Sequence, residues 1–184
     1  MEPMNSDAVQ TFSALLALVA LAGGLITLLS LAVRGAWAET WLATVRAYGL
    51  WAIFAITATA MVGSLYFSES VGYAPCKLCW YQRIAMYSIA IISFVAALRK
   101  DTNIARYTIV LAPLGLIVSV YHYLLEWGVI NESNVCSIDV PCTSIWFREF
   151  GFITLCFMAG CAFIAVISFS LALLRAQSTS SQED

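Results

Sequence analysis

Charged residues are scarce in this 184-residue chain, where Asp, Glu, Lys and Arg together make up only 11% of the sequence. Soluble domains usually carry about 25%. The mean hydropathy is +0.85, so too little polar surface exists to cover a water-soluble globule. The formal net charge is only −2, and the absence of a basic run argues against a nucleic-acid partner. The composition therefore predicts an integral membrane protein.

Alternation of apolar and polar residues is also missing, and this absence excludes strands. The apolar residues instead form five long runs, each with about the 20 residues that cross a ~30 Å hydrocarbon layer as a helix. The runs cover residues 14–33, 48–67, 80–98, 107–125 and 151–174. We predict a single all-α membrane domain over residues 1–184. Its last residues, 175–184, are expected to form a disordered cytoplasmic tail.

Basic residues predict the orientation. Six of the nine Lys and Arg residues fall on one side of a five-span bundle: Arg34, Arg46, Arg99, Lys100, Arg106 and Arg175. This side is expected to be cytoplasmic. The N-terminus is then outside, the C-terminus inside, and the joints 68–79 and 126–150 face outward. A signal-peptidase-like site at residues 36–38 offers an alternative that would invert this topology, but the acidic N-terminal region favours an uncleaved first helix.

Four of the six cysteines fall in the two outward joints, where disulfides can persist. They are Cys76, Cys79, Cys136 and Cys142. Local pairs, a cross-paired staple and a four-thiolate zinc site all remain open from the spacing. A short C-x-x-C loop favours thiol–disulfide exchange over stapling. Cys156 and Cys161 lie inside the fifth run and are expected to be buried, inert thiols.

The first cysteine pair precedes an apolar helix. Pro75 suits the first helical turn, and Cys79 would then meet the positive end of the helix dipole. Arg83 lies four residues on, on the same face. These features predict a thiolate at Cys79, although an Arg in a first turn can also extend to lipid headgroups.

His122 is the only histidine, and it is predicted near the outer end of the fourth helix with Glu126 one turn on. It is either a hydrogen-bonded packing residue or a functional ionisable group in the membrane. Bulky apolar residues with few charges at 144–150 predict a short helix on the membrane surface.

The segment Cys76-Lys77-Leu78-Cys79-Trp80-Tyr81-Gln82-Arg83 resembles the DsbB family of quinone-linked disulfide-forming membrane proteins, which carry C-x-L-C-x-x-Q-R at the start of a transmembrane helix. Tyr121-His122-Tyr123 and Cys136…Pro141-Cys142 are similar to the BdbC-like branch, which has a short second cysteine loop. The resemblance covers about residues 48–174, the span of a four-helix transmembrane core. The helix at 14–33 is extra, and the resemblance assigns it no role.

The resemblance implies a thiol:quinone oxidoreductase of the bacterial cell membrane that supports protein disulfide bond formation. A DsbA-like thioredoxin-fold partner on the outer face would attack Cys136 of the Cys136–Cys142 disulfide. Electrons would then reach Cys76 and Cys79, through a Cys76–Cys142 link. All four cysteines are the expected catalytic residues.

The same resemblance implies that ubiquinone or menaquinone is bound by Cys79, Gln82 and Arg83, with His122 near enough to take part. It implies no metal, and membrane lipid surrounds the bundle. Two alternatives stay open: a quinone-linked thiol redox enzyme of the vitamin K epoxide reductase type, and a non-enzymatic membrane protein with stapled or zinc-binding loops.

Overall fold

Long helices account for most of the chain in a computed structural model, which describes residues 4–33, 35–131, 136 and 140–180. The five helices are α1 (Met4–Ala32), α2 (Ala36–Leu65), α3 (Lys77–Arg99), α4 (Ala105–Glu126) and α5 (Leu155–Ser180). A π-helical turn at Tyr66–Ser70 extends α2, and a 3₁₀ turn at Thr102–Ile104 precedes α4. All five helices are long and apolar enough to span a membrane, and the described residues form no strand. The predicted all-α, five-span fold is confirmed.

Several helix ends differ from the prediction. α1 begins at Met4 and not at residue 14, and α5 begins at Leu155 and not at residue 151. α2 begins at Ala36, so the segment 34–47 is mostly helix and not a polar joint. It contains four Ala and no Pro, and this composition favours helix even though polar residues interrupt the apolar pattern. The helical span from Ala36 to Ser70 has 35 residues, well beyond the roughly 20 that a bilayer needs.

The C-terminal tail was predicted to be disordered from residue 175, and this is wrong for residues 175–180. α5 continues to Ser180, because the residues after the apolar run still include good helix formers. The Arg175 guanidinium also donates a hydrogen bond to the Leu31 carbonyl oxygen at 2.6 Å, which ties the end of α5 to α1. Residues 181–184 lie outside the described part of the chain.

α5 is the central helix of the bundle and packs against α1, α2 and α4. Phe163 on α5 is fully buried, and its ring lies directly on the backbone at Gly115 of α4. Any side chain at residue 115 would collide with this ring. This close contact sets the position of α4 against α5, and His122 and Glu126 lie at the C-terminal end of α4.

Candidate active site

Cys76 and Cys79, called the inner pair below, lie at the start of α3. Cys136 and Cys142 are called the outer pair. Cys76 is the N-cap, and its sulfur accepts a hydrogen bond from the Cys79 backbone N–H at 3.3 Å. The two sulfur atoms lie 2.9 Å apart. Cys76 is buried and Cys79 is half-buried. Pro75 therefore precedes the cap and does not occupy the first helical turn, and the helix start holds the two sulfurs within reach of a disulfide.

The thiolate that the helix start stabilises is at Cys76, where the sequence had predicted it at Cys79. A hydrogen bond with the Cys79 thiol is the main cause of a lowered pKa at Cys76, and the His122 hydrogen bond adds to the effect while burial opposes it. The free N–H groups at a helix start point toward the N-cap position. Because Cys76 occupies that position, the positive end of the dipole acts on its sulfur first.

His122 contacts both cysteine pairs. Its Nε2 lies 3.0 Å from the Cys142 carbonyl oxygen and 3.6 Å from the Cys76 sulfur. A carbonyl oxygen can only accept a hydrogen bond, so Nε2 carries the proton. Nδ1 then accepts from the Gln82 side-chain amide at 3.1 Å. Gln82 thereby fixes the ring orientation and tautomer that join the two pairs.

The outer pair forms a disulfide between Cys136 and Cys142. Cys142 is fully buried, and it packs in one cluster with Cys76, Leu78 and Leu125. Cys136 is only half-buried at the edge of this cluster. Residues 132–135 and 137–139, on either side of Cys136, lie outside the described residues. Of the two sulfurs, Cys136 is therefore the more accessible to solvent.

The predicted surface helix at 144–150 is wrong, since these residues form turns and irregular chain. Their aromatic rings instead pack on the first outer segment. Trp146 stacks on Tyr73 at 4.8 Å between ring centroids, and Phe147 lies 5.4 Å from Phe67. Stacking on a neighbouring segment satisfies these rings without a helix. The contact holds the outer-pair segment against the start of α3.

Arg83 lies one turn beyond Cys79, as predicted, but its hydrogen bonds go to α2. Its Nε and Nη2 donate to the hydroxyl and the carbonyl oxygen of Ser64 at 2.9 and 3.0 Å. The guanidinium also lies 5.2 Å from the centre of the Trp80 ring. Ser64 was not singled out in the sequence, where its only signal is a small polar residue near the end of an apolar run.

A cavity of about 490 Å³ opens beside the inner pair, within the size range of small-molecule sites. Its walls are mainly apolar, which suits a lipid-soluble ligand. Its polar or ionisable lining side chains include Cys79, Gln82, Arg83, His122, Glu126 and Cys156. The structure thus brings all four predicted ligand-binding residues to one cavity. An aromatic carbonyl compound would find amide and guanidinium donors close to the Cys79 sulfur.

Glu126 and Cys156 form a contact that the sequence analysis missed. Glu126 accepts hydrogen bonds from the Thr154 hydroxyl at 2.6 Å and from the Cys156 thiol at 2.8 Å. Cys156 is buried, as expected, yet it faces the cavity, whereas Cys161 does not line it. In the sequence, the only indication of this contact is that Glu126 follows His122 by one helical turn and that Cys156 lies near the start of the run 151–174.

Two groups of side chains at this site stand close enough to share an ion. The ligand atoms of Cys76, Cys79 and His122 lie within 4.8 Å of one another, as do those of His122, Glu126 and Cys156. Thiolate and imidazole ligands suit zinc. These groups differ from the predicted four-thiolate zinc site, because the Cys136–Cys142 disulfide holds two of its four sulfurs. Metal analysis of the purified protein tests both.

The pH dependence of Cys76 alkylation tests the site geometry. A lowered pKa keeps Cys76 as a thiolate as the pH falls, until that pKa is passed. We therefore expect the alkylation rate of Cys76 in the reduced protein to have its midpoint well below the ~8.5 of a free cysteine. The H122F variant should move the midpoint upward, because the Nε2 donor is lost. Mass spectrometry of the Cys76 peptide gives the rate, and a wild-type midpoint near 8.5 would contradict this geometry.

Comparison with known proteins identifies the family of the chain. The family model "Disulfide bond formation protein DsbB" matches residues 45–174. A probable disulfide formation protein of Oceanobacillus iheyensis is 45% identical over 120 residues, which cover 64% of this chain and 83% of that protein. Disulfide bond formation protein C of Bacillus subtilis is 42% identical over 130 residues, 70% of this chain and 93% of the relative.

No solved structure matches the chain significantly. The family match covers α3, α4 and most of α2 and α5, and it includes every cysteine. The cysteine pairs found at one end of a five-helix membrane bundle agree with the chemistry in the relatives' names. This chain is a multi-pass membrane oxidoreductase that forms disulfide bonds, and it belongs to the DsbB family.

Proposed function

We propose that the chain oxidises an extracytoplasmic, DsbA-like thioredoxin-fold protein and passes the two electrons to a membrane quinone. The observation that carries this proposal is the position of His122, whose Nε2 contacts both the Cys142 carbonyl oxygen and the Cys76 sulfur. Both sulfurs of the inner pair in turn line the cavity. This arrangement supports a path from the outer pair through the inner pair to a ligand in the bilayer.

The first step is a thiol–disulfide exchange at Cys136. A thiolate of the donor protein attacks the Cys136 sulfur, the Cys136–Cys142 bond breaks, and Cys142 leaves as a thiolate. The half-buried position of Cys136, against the full burial of Cys142, supports this choice of sulfur.

The second exchange links the two pairs. The Cys142 thiolate attacks Cys76 in an inner disulfide, and Cys79 leaves as a thiolate. The donor's second thiol then releases the donor as a disulfide and frees Cys136. Cys136 attacks the Cys76–Cys142 link, which re-forms the outer disulfide and leaves Cys76 as a thiol. The donor has lost two electrons and two protons, and the inner pair has gained them.

The cavity residues fit a quinone head. Gln82 and Arg83 offer N–H donors to ring oxygens, and the apolar walls suit a hydrocarbon tail. A quinone bound there supplies an acceptor for two electrons and two protons. Both sulfurs of the inner pair line the cavity, and Cys79 is the more exposed. Cys79 is therefore the sulfur from which the electrons leave as the inner disulfide re-forms. His122 and Glu126 are placed to move the accompanying protons.

The energetics of disulfide exchange require a strong acceptor. A strongly oxidising thioredoxin-fold partner has a potential near −120 mV, whereas stable structural disulfides lie below about −300 mV. An ordinary disulfide would oxidise such a partner uphill by about 8 kcal/mol. The reduced cysteine pairs of this chain must therefore be reoxidised by a more oxidising compound, and a quinone in the bilayer can do this. The charge distribution supports an outward-facing position for both pairs.

An anaerobic turnover assay tests the proposed function. Purified protein is mixed with an excess of a reduced thioredoxin-fold donor and a quinone, and loss of quinone absorbance is followed. We expect one quinol for each donor disulfide formed, with no quinol when the protein is omitted. Absence of turnover together with one bound zinc per chain would favour the zinc alternative. Reduction of a quinone epoxide would favour the vitamin K epoxide reductase alternative.

A further inference from the structure

α1 lies outside the region that matches the DsbB family, which begins at residue 45. It nevertheless forms one wall of the cavity beside Cys79. Its lining residues are Ser13, Leu16, Ala17, Val19, Ala20 and Gly23. The cavity in this chain is thus completed by a helix that the family core does not contain.

α1 is held against the core at both ends. At its outer end the Gln10 side-chain amide donates to the Tyr73 hydroxyl at 3.0 Å, and the Thr11 hydroxyl donates to Glu149 at 3.3 Å. At its inner half, Gly24 lies so close to α5 that an added Cβ would come within 2.9 Å of the Ala165 Cα. These contacts fix which face of α1 turns toward the cavity.

The face that α1 turns to the cavity leaves space along the helix. Ser13, Ala17, Ala20 and Gly23 follow one another at spacings of four, three and three residues, so they share one side. From Ser13 to Gly23 the wall extends about 15 Å along the helix axis. The polar groups, including Cys79 and Arg83, lie at the end near the start of α3. The wall of α1 continues from there toward Phe169, between apolar side chains.

We infer that α1 forms the binding wall for the isoprenoid tail of the quinone, and so makes the affinity of this chain depend on the tail. The inference rests on the proposed function. The ring is held at the polar end by the core residues, and the tail lies between α1 and α5. A quinone without a tail would contact the core residues alone, so α1 would not affect its binding.

Gly23 allows a sharp test. A Cβ added there would have its nearest contact, the Phe169 ring, at 3.8 Å, so a larger side chain can enter the cavity without meeting backbone. We expect G23A and then G23L to weaken binding of a tailed quinone progressively, with about a tenfold or greater rise in Kd for G23L. Binding of a quinone that lacks the tail should stay as in the wild type.

Ala22 provides the matched control. It is the neighbouring residue, it is exposed on the outside of the bundle, and it does not line the cavity. A22L places the same leucine side chain on the same helix turn, and it should bind both quinones as the wild type does. Binding is measured by titration into protein stripped of lipid-soluble ligands, and the quinone that copurifies with each variant is measured by extraction.

The outcomes separate this inference from the proposed function. A G23L protein that binds the tailed quinone as tightly as A22L would overturn the inference, and so would an equal loss for both quinones. Wild-type protein that binds and reduces no quinone would instead refute the proposed function. Size-exclusion profiles and thermal unfolding of G23A, G23L and A22L identify a folding defect, and G23A then carries the test because it adds one methyl group.

Discussion

Replacement of Cys79 by serine (C79S) is expected to stop quinone reduction while the outer disulfide can still accept electrons from a donor protein. Both sulfurs of the inner pair line the cavity. Cys79 is the more exposed of the two, since Cys76 is 5% exposed and lies against His122. The turnover of quinone should fall by roughly three orders of magnitude or more, as for the loss of other catalytic nucleophiles.

The C79S protein should also stop with a reduced outer pair. Without Cys79 no inner disulfide can exist, so electrons that enter the outer pair have no disulfide to which they can move. Non-reducing peptide mapping after incubation with reduced donor should therefore find one donor disulfide formed per chain and Cys136 and Cys142 as thiols. C161S is the matched control, because Cys161 is buried but does not line the cavity. C161S should keep full turnover. Full turnover in C79S would show that the inner pair is not the electron exit.

Removal of the outer pair (C136S with C142S) is expected to abolish most activity with a protein donor but to leave activity with a small dithiol. Cys76 packs in the cluster that contains Cys142, and both sulfurs of the inner pair face the cavity between the helices. A folded donor protein cannot reach either sulfur, but a small dithiol can. We expect protein-driven turnover to fall by roughly 100-fold or more, while dithiothreitol still supports quinone reduction.

The comparison of the two donors is the measurement for this variant. Initial rates with reduced donor protein and with dithiothreitol are recorded for the double variant and for C161S at equal protein concentration. The ratio of the two rates cancels differences in folded fraction. An unchanged ratio would mean that the donor reaches the inner pair directly, and the relay between pairs would be wrong.

The sequence predicted the five spans because long apolar runs leave helices as the only structure that satisfies the backbone in lipid. It did not predict where α2 begins, since helix-forming residues from Ala36 continue the helix outside the hydrocarbon. Hydropathy predicts which residues cross the membrane, but it does not predict where the helix that contains them begins or ends. The same limit explains the helical residues 175–180 in what was predicted as a disordered tail.

Within the site, the residue types were predictable but their partners were not. The C-x-x-C spacing and the only histidine indicated where the redox chemistry lies. That His122 contacts both Cys76 and the Cys142 carbonyl depends on how α3, α4 and the outer loop meet. The Glu126–Cys156 bond likewise joins two helices 30 residues apart in sequence. Such contacts depend on how each helix is rotated about its own axis in the packed bundle. This rotation cannot be predicted from a single sequence.

The most direct test of the central claim is a single turnover of the inner pair. The C136S/C142S double variant is reduced, freed of reductant without oxygen, and mixed with quinone while quinol and free thiols are counted. We predict one quinol per chain and the loss of the two thiols at Cys76 and Cys79, with Cys156 and Cys161 unchanged. Quinone that stays oxidised while Cys76 and Cys79 remain thiols would contradict the claim that this pair passes electrons to quinone.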